Sequence, residues 1–189
     1  MTDREDWKPG NMLYPCPVAM ISTRGLDGKA NIFTVAWTGT VCTNPPMAYI
    51  SVRPERYSYK ALIDTKEFVI NLVTKDLTFA ADFCGVRSGK DYDKFKHLKL
   101  TARDVDGIRA PAIDESPVNI LCKAREVNKL GSHHLFIADV IGVSIDKKYM
   151  DDSSKFHLDW ANLVCYSHGE YFSMGEPIGK FGYSVKKIK

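Results

Sequence analysis

Closely spaced cysteines are absent from this chain, although it contains 5 cysteines in all. The thiols of Cys16, Cys42, Cys84, Cys122 and Cys165 are far apart and odd in number, and no Cys-x-x-Cys pair occurs. Zinc ribbons, iron–sulfur clusters and thioredoxin-type sites depend on such pairs, so none of these sites is supported. The sequence therefore predicts reduced thiols, which are typical of a cytoplasmic protein.

Strong charge and long apolar runs are also missing. A net charge of +3 is too small to indicate a nucleic-acid-binding protein, and it suits a small anionic ligand better. No segment approaches the roughly 20 consecutive apolar residues of a membrane-spanning helix. The N-terminal segment Met1–Gly10 is polar and charged, unlike a signal peptide, and the basic tail Lys186–Lys189 is expected to be solvated.

The familiar nucleotide-binding and hydrolase motifs do not occur either. The chain has no Gly-x-Gly-x-x-Gly fingerprint, no Gly-x-Ser-x-Gly elbow and no His-Glu-x-x-His pair. The loop around Gly85 and Gly89 differs from a P-loop because the two glycines are too close together and Asp91 follows Lys90 where a hydroxyl is required. Rossmann, P-loop, hydrolase and metalloprotease assignments therefore have no support.

Strand-like runs are what the chain does contain, and most follow each other in hairpin order. Asp27-Gly28 separates two β-rich runs, which is a strong hairpin signal. The predicted strands are Val18–Thr23, Asn31–Trp37, Ala48–Arg53, Glu67–Leu72, Leu98–Ala102, Pro117–Val127 and His134–Ile145, with short helices at Tyr59–Asp64 and Asp76–Phe83 and a polar loop at Cys84–Phe95. This order predicts a mainly β fold, a β-barrel with short helices, in a single domain over residues 1–189 with residues 1–14 as an N-terminal arm.

A ligand site is predicted at the end of the strand Ala48–Arg53. Arg53, Arg56 and Ser58 come just before the helix Tyr59–Asp64, and Ser58 is a good N-cap residue. Two guanidinium groups beside a helix N-terminus favour a phosphate site. The neighbouring strand Asn31–Trp37 is expected to end at Thr38-Gly39, where a flat ligand would lie against backbone amides. One strand would then bind the phosphate end of a ligand, and the adjacent strand would bind its flat ring.

Several other residues can be interpreted either as structural residues or as parts of a site. His133 and His134 are adjacent at a strand start, so their side chains should face opposite ways and not share a metal. One would be exposed and the other structural, unless one donates to a ligand or supplies a proton. Taken alone, Trp37 is typical of a core residue, Lys94 of a solvated loop, and Cys84 of a buried structural thiol. The residues by themselves predict a β-barrel with a phosphate-bearing ligand and name no reaction.

Several segments in the right order resemble the flavin reductase-like family, the FMN-binding split barrels that include flavoredoxins. The resemblance runs from Pro17 to near the C-terminus, with each segment weak alone and the order specific. It is carried by Pro17–Thr23, Asn31–Trp37, Asn44–Pro46, Ser51–Ser58, Glu67–Leu72, Cys84-Gly85, Ser88-Gly89, Asp93–Phe95, Gly131–Ile137 and Gly175–Gly182.

This resemblance implies a homodimeric split barrel that holds FMN near the subunit interface and takes hydride from NADH or NADPH. The implied site residues are Thr38, Gly39, Ser51 and Val52 at the ring, Arg53, Arg56 and Ser58 at the phosphate, Ser88, Gly89 and Lys94 at the flavin or its phosphate, and His133 near the nicotinamide or the ring. Three residues depart from the family pattern: Ser58 stands where Thr is usual, Ser132 where an acidic residue is usual, and Ala138 where Gly is common. The last two departures affect the reductant site more than FMN binding.

The implied activity is a flavin reductase that passes electrons to free flavin, ferric complexes or a protein acceptor. Two alternatives are a flavoredoxin-type electron carrier reduced by a protein partner, and a non-enzymatic FMN-binding protein. Flavin chemistry requires few protein acids or bases, so the lack of a catalytic constellation is consistent with all three.

Overall fold

Antiparallel strands are the main regular elements of the computed structural model, which describes residues 2–185. The strands are β1 (Cys16–Pro17), β2 (Ala19–Arg24), β3 (Ala30–Val35), β4 (Thr38–Thr43), β5 (Pro46–Val52), β6 (Glu67–Leu72), β7 (Ala102–Val105), β8 (Ile108–Ile113), β9 (Val118–Lys129), β10 (His134–Ile145), β11 (Val164–Ser167) and β12 (Glu170–Ser173). The α-helices are α1 (Tyr59–Thr65), α2 (Thr78–Val86) and α3 (Lys94–Leu98), with 3₁₀ turns at Lys75–Leu77, Lys147–Tyr149, Leu158–Ala161 and Tyr183–Val185.

Seven strands form one sheet in the order β3-β2-β6-β9-β10-β5-β4, which confirms the predicted β-barrel with short helices. The edge strands β3 and β4 are consecutive in the chain and joined only by Ala36-Trp37. A sheet whose two edges are so closely tethered must curl until they approach, which is how a barrel forms. At this seam the Ser51 amide donates a 2.9 Å hydrogen bond to the Trp37 carbonyl.

One strand boundary in this region differs from the prediction. Thr38 and Gly39 do not end β3; they begin β4, where they pair with Ile50 and Tyr49 of β5. The uninterrupted run of β-forming residues concealed the break, because strand propensity does not reveal where a barrel turns its corner.

The barrel interior is filled by alternating apolar side chains of the sheet. Phe68 on β6 and Phe136 on β10 are completely buried and lie in one cluster with Ile21, Ile50 and Leu62. Burying a side chain of this size stabilises a fold by about 1.5–3 kcal/mol. A second cluster lies on the other side of β2 and β3, against helices α2 and α3. The sheet therefore packs on both faces here, and β3 lies between the barrel core and the two helices.

The buried side-chain amide of Asn71 links β6 to three other strands, β2, β8 and β9. Asn71 on β6 donates to the Met20 carbonyl (2.8 Å) and to Ser22 Oγ (2.9 Å), while its Oδ1 accepts from the Ile113 amide and from Asn119 Nδ2, both at 2.9 Å. Its side chain is thus fully satisfied, as a buried amide must be.

The middle of the chain departs most from the prediction. The hairpin β7–β8 replaces the predicted strand Leu98–Ala102, and Leu98 instead ends helix α3. The unused signal was Asp106-Gly107, a hairpin turn whose glycine has φ +77°. The predicted loop Cys84–Phe95 is also shorter, because α2 extends to Val86 and α3 begins at Lys94.

The remaining predicted elements agree with the structure to within a few residues. The β2–β3 hairpin, α1, β6, β9 and the long strand β10 all occur. Residues 2–15 form an exposed arm without regular structure, except that the Tyr14 ring packs 4.6 Å from that of His168. The tail Lys186–Lys189 lies outside the described residues. Among residues 2–185, no helix has the length and apolar character needed to cross a membrane.

Candidate functional site

Two adjoining pockets open at the seam of the barrel and share Phe33 and Arg56. The first, which we call the Trp37 pocket, has a volume of about 80 Å³ and is lined by residues 33–37, Ser51, Val52, Arg53, Arg56 and His133. The second, the Lys94 pocket, has a volume of about 120 Å³ and is lined by Asn31, Phe33, residues 55–58, residues 86–89 and Lys94. The two pockets lie side by side along β3, and we refer to them together as the groove.

The Trp37 pocket is the aromatic end of this groove. Trp37 is 42% exposed rather than buried, and its ring meets the His133 ring edge-on with 5.2 Å between centroids. Burial, together with the positive charges of Arg53 and Arg56, holds the pKa of His133 below its usual range. A neutral imidazole beside a flat indole can accept or donate a hydrogen bond without adding charge.

The two adjacent histidines face opposite ways, as predicted. His134 points towards the core, where its Nδ1 lies 2.7 Å from the Tyr59 hydroxyl. His133 points to the groove, and its Nδ1 lies 3.0 Å from Ser132 Oγ. His134 is therefore structural, and His133 is the histidine that a ligand in the groove would meet.

The Lys94 pocket contains a buried ammonium group, whereas the sequence taken alone indicated a solvated loop lysine. Lys94 is only 3% exposed, and its Nζ donates to the carbonyls of Ile32 (2.7 Å) and Cys84 (2.9 Å). The pKa of Lys94 is lowered to about 8, mainly by burial. The electrostatic effect of Cys84 raises this pKa in part, and the positive charge of Arg56 lowers it further. Cys84 is fully buried and burial raises its pKa to about 11, so it is the structural thiol that was expected.

Arg56 connects the two pockets. Its Nη1 donates a 2.6 Å hydrogen bond to the Gly85 carbonyl at the end of α2, which holds the guanidinium over the groove. Arg53, by contrast, is exposed and lines the Trp37 pocket but not the Lys94 pocket. The two predicted phosphate-binding arginines are thus brought to the same groove at different positions along it.

Ser58 occupies the predicted N-cap position of α1, but its side chain does not cap the helix. Its φ and ψ of −73° and −8° are helical, and its Oγ is buried, where it accepts from Asn31 Nδ2 (2.8 Å) and Thr23 Oγ1 (3.2 Å). The hydroxyl therefore joins α1 to β2 and β3. The capping interpretation of Ser58 was wrong because a tertiary partner competes for the same oxygen.

The loop at Ser88-Gly89 forms the rim of the Lys94 pocket. Ser88 Oγ accepts from the Lys90 amide at 3.1 Å, which closes a tight turn. A β-carbon at Gly89 would lie 2.6 Å from a ring carbon of Tyr57 and would overlap the Asn31 amide. Glycine is required here by close approach, and it lets the loop backbone reach the pocket.

Thr38 and Gly39 line neither pocket. Thr38 is buried, and its Oγ1 donates to the Tyr49 carbonyl at 2.6 Å. The residues that line the corresponding part of the groove are Phe33, Thr34, Val35 and Ala36 at the end of β3. Sequence reasoning missed them, together with Asn31, Tyr57 and Arg87, because no local pattern separates a groove-lining strand end from a buried one.

The charges of the groove favour an anion. Arg56, Arg87 and Lys94 line the Lys94 pocket and only Glu55 opposes them, while Arg53 adds a charge at the other end. Within residues 2–185, no cluster of three or more His, Cys, Asp or Glu side chains could hold a metal ion. The arrangement can therefore hold a ligand with an anionic group at one end and a flat ring at the other.

One family model and several known proteins match this chain. The family model described as "Flavin reductase like domain" matches residues 12–175. An uncharacterized protein of Aquifex aeolicus is 23% identical over 166 residues, 85% of each chain, and an NADH:riboflavin 5′-phosphate oxidoreductase of Streptomyces pristinaespiralis is 20% identical over 127 residues, 67% of this chain and 69% of that protein.

Two solved flavoredoxin structures share the fold. The flavoredoxin of Desulfovibrio vulgaris (Miyazaki F) superposes with a TM-score of 0.90 and 26% identity, covering 97% of this chain and 100% of that chain. The flavoredoxin of Methanosarcina acetivorans has a TM-score of 0.82 and 22% identity, with the same coverage of 97% and 100%.

Proposed function

Because this chain belongs to the flavin reductase-like domain family, we propose that it is an FMN-binding oxidoreductase that takes hydride from NADH or NADPH and passes electrons to flavin, ferric or protein acceptors. The observation that carries this proposal is the pair of adjoining pockets in the groove, the cationic Lys94 pocket and the aromatic Trp37 pocket. FMN has the same two ends, a phosphate and a flat ring.

The side chains of the groove fit FMN in chemical type. We assign the phosphate to Lys94, Arg56 and the Ser88-Gly89 backbone, because a buried ammonium and a fixed guanidinium bind phosphate strongly. The ring is assigned to the Trp37 pocket, where Ser51 and Val52 end β5. FMN, when bound, supplies a ring that accepts hydride and releases electrons one or two at a time.

The chain's own contribution is orientation and control of water. Trp37 and Phe33 supply apolar walls, and His133 supplies a neutral polar group at the open side of the Trp37 pocket. We assign His133 to the nicotinamide or the flavin ring, as a hydrogen-bonding group rather than a charge. Holding two reactants in a fixed geometry lowers the barrier without a protein acid or base.

A flavoredoxin-type electron carrier is a second candidate, supported by a specific observation. The partner of His133 is the Ser132 hydroxyl, and the nearby guanidinium groups oppose protonation of the imidazole. An imidazole without a carboxylate partner is a weaker anchor for a nicotinamide. A carrier of this kind would receive electrons from a protein partner and react slowly with NADH or NADPH.

We also propose that the protein is a homodimer. Val41 on the edge strand β4, Ile141 and Val143 on β10, and Trp37 at the seam are exposed apolar residues. Exposed apolar side chains favour association between copies of a chain. Light scattering during gel filtration measures this directly: a dimeric mass supports the proposal and a monomeric mass contradicts it.

We place the protein in the cytoplasm. All five cysteines are free thiols, and three of them are buried. Free thiols persist in the reducing cytoplasm, and fractionation of the native cells tests the assignment.

The function is tested by a visible absorption spectrum of the purified protein, followed by anaerobic mixing with NADH and then NADPH. A yellow protein that bleaches within the mixing experiment supports a reductase and identifies its donor. A yellow protein that stays oxidised favours the electron carrier. A colourless protein that also fails to bind added FMN refutes both.

A further inference from the structure

Arg53 was predicted to bind the FMN phosphate, yet it does not line the Lys94 pocket. It lines the Trp37 pocket and also an open cleft of about 540 Å³, whose other lining residues are Glu55 and Arg56. Its side chain is exposed, and its guanidinium has no hydrogen-bond or ion-pair partner among residues 2–185. This guanidinium is therefore available to a ligand.

The strand register places Arg53 opposite His133. β5 and β10 are antiparallel neighbours, and Val52 pairs with His134. Arg53 and His133 are the next two residues in this register, and both line the Trp37 pocket. Directly opposed residues of antiparallel strands have Cβ atoms about 4.5–5.5 Å apart. Burial and, after it, the positive charge of Arg53 accordingly hold the pKa of His133 below its usual range.

The two arginines of this loop are held at different places. The Arg56 amide donates a 3.1 Å hydrogen bond to the Arg53 carbonyl, which closes a turn at the end of β5. The Arg56 guanidinium is bound to the Gly85 carbonyl, and its side chain lines the Lys94 pocket, whereas Arg53 does not. Arg56 thus belongs to the pocket assigned to the FMN phosphate, and Arg53 is left for a second anionic group beside the Trp37 pocket.

The chemistry of the donor supplies such a group. Hydride passes between two rings only when the reacting atoms lie about 3–3.5 Å apart, so the nicotinamide must approach the flavin ring assigned to the Trp37 pocket. In NADH and NADPH, the nicotinamide ribose is joined directly to a diphosphate. The Trp37 pocket, with a volume of about 80 Å³, is too small to enclose a dinucleotide, so the diphosphate must lie at its rim. The exposed cation at that rim is Arg53.

We propose that Arg53 binds the diphosphate of the nicotinamide donor and not the phosphate of FMN. The inference rests on the proposed function, because it requires NADH or NADPH as the hydride donor. A guanidinium binds phosphate oxygens through charge-assisted and often bidentate hydrogen bonds. Glu55 in the same cleft repels an anion, so the attraction for the diphosphate depends on Arg53.

The test measures the anaerobic bleaching of the FMN-loaded protein by two donors. One is NADH, or NADPH if it reacts faster, and the other is 1-benzyl-1,4-dihydronicotinamide, which carries the same reducing ring and no phosphate. Arg53→Met removes the charge and keeps most of the side-chain length, whereas Arg53→Lys keeps a positive charge. Arg109→Met is the matched control, because Arg109 is an exposed arginine of β8 that lines neither the groove nor the cleft.

Arg53→Met should raise the NADH concentration that gives half of the maximal bleaching rate by about tenfold, which corresponds to about 1.4 kcal/mol of binding free energy. The maximal rate should change by less than about twofold, because the lost contact lies away from the reacting atoms. Arg53→Lys should restore part of the NADH affinity. The benzyl donor should react equally with Arg53→Met and wild type, and the FMN affinity of Arg53→Met should not change. Arg109→Met should match wild type in every measurement.

Four results would overturn the inference. An unchanged NADH dependence in Arg53→Met refutes it and leaves the proposed function intact. A weakened FMN affinity in Arg53→Met returns Arg53 to the flavin phosphate. An equal loss with both donors shows that Arg53 acts through His133 or the flavin ring and not on the diphosphate. A wild-type protein that binds FMN and is bleached by neither nucleotide refutes the proposed reductase itself, and this inference with it.

Discussion

Raising the pH from 7 to 9 should weaken FMN binding through Lys94. The Lys94 ammonium is buried in the pocket assigned to the phosphate, and burial lowers its pKa to about 8. A bound phosphate favours the charged form of the lysine. The affinity for FMN is therefore highest at a pH where Lys94 of the free protein is already protonated. It falls as the pH rises through the pKa of Lys94 in the free protein.

The magnitude follows from the protonated fraction. With a pKa of about 8, about nine-tenths of the Lys94 side chains carry a proton at pH 7 and about one-tenth at pH 9. Other groups change little over this interval. A phosphate monoester has a second pKa of about 6, so about nine-tenths of the phosphate groups have already lost that proton at pH 7, and guanidinium groups keep their charge. Cys84, with a pKa raised to about 11, stays a thiol. The expected loss of FMN affinity is about tenfold.

The assay is a set of flavin-binding titrations at pH 7, 8 and 9 with FMN and with riboflavin, which lacks the phosphate. Riboflavin affinity should change little, and Lys94→Met should bind FMN weakly with a flat pH profile. Lys90→Met is the matched control, because Lys90 is an exposed lysine of the loop that precedes Lys94 and α3. The reasoning is refuted if FMN and riboflavin lose affinity in parallel, or if Lys94→Met keeps the wild-type pH dependence.

Three further substitutions have expected outcomes. Arg56→Ala should weaken FMN binding by about tenfold or more, because it removes a guanidinium that lines both pockets; unchanged affinity in a titration would contradict the phosphate assignment. Gly89→Ala should lower FMN affinity by displacing the loop from Tyr57, whereas Gly175→Ala, where a β-carbon meets nothing within 4 Å, should leave the affinity unchanged. Asn71→Ala should lower the free energy of unfolding by about 3 kcal/mol, because it leaves buried partners unsatisfied; a loss below about 1 kcal/mol in urea denaturation would show that the Asn71 network contributes little.

Local sequence patterns predicted the strands whose signals are local. Asp27-Gly28 marks the β2–β3 hairpin, and the alternating run His134–Ile145 is β10 over the same residues. The pattern could not show that the chain leaves β3 at Ala36-Trp37 and starts a new strand, because that corner depends on closure of the barrel between distant edges. The groove lies at this corner, so the strand boundary that was predicted wrongly is also where most of the missed groove residues are.

The candidate site shows the same limit in its polar residues. Ser58 was chosen because a serine before a helix is a typical cap, yet its hydroxyl is used by Asn31 of β3, which lies 27 positions away in the chain. Lys94 was given little weight because an isolated loop lysine is usually solvated, yet two carbonyls from β3 and α2 surround it. A buried ammonium keeps its charge only if such partners exist, and partners of this kind are a tertiary property. Of the residues predicted to bind phosphate, Arg56 is the one that lines both pockets, and the buried charge in the Lys94 pocket belongs to Lys94.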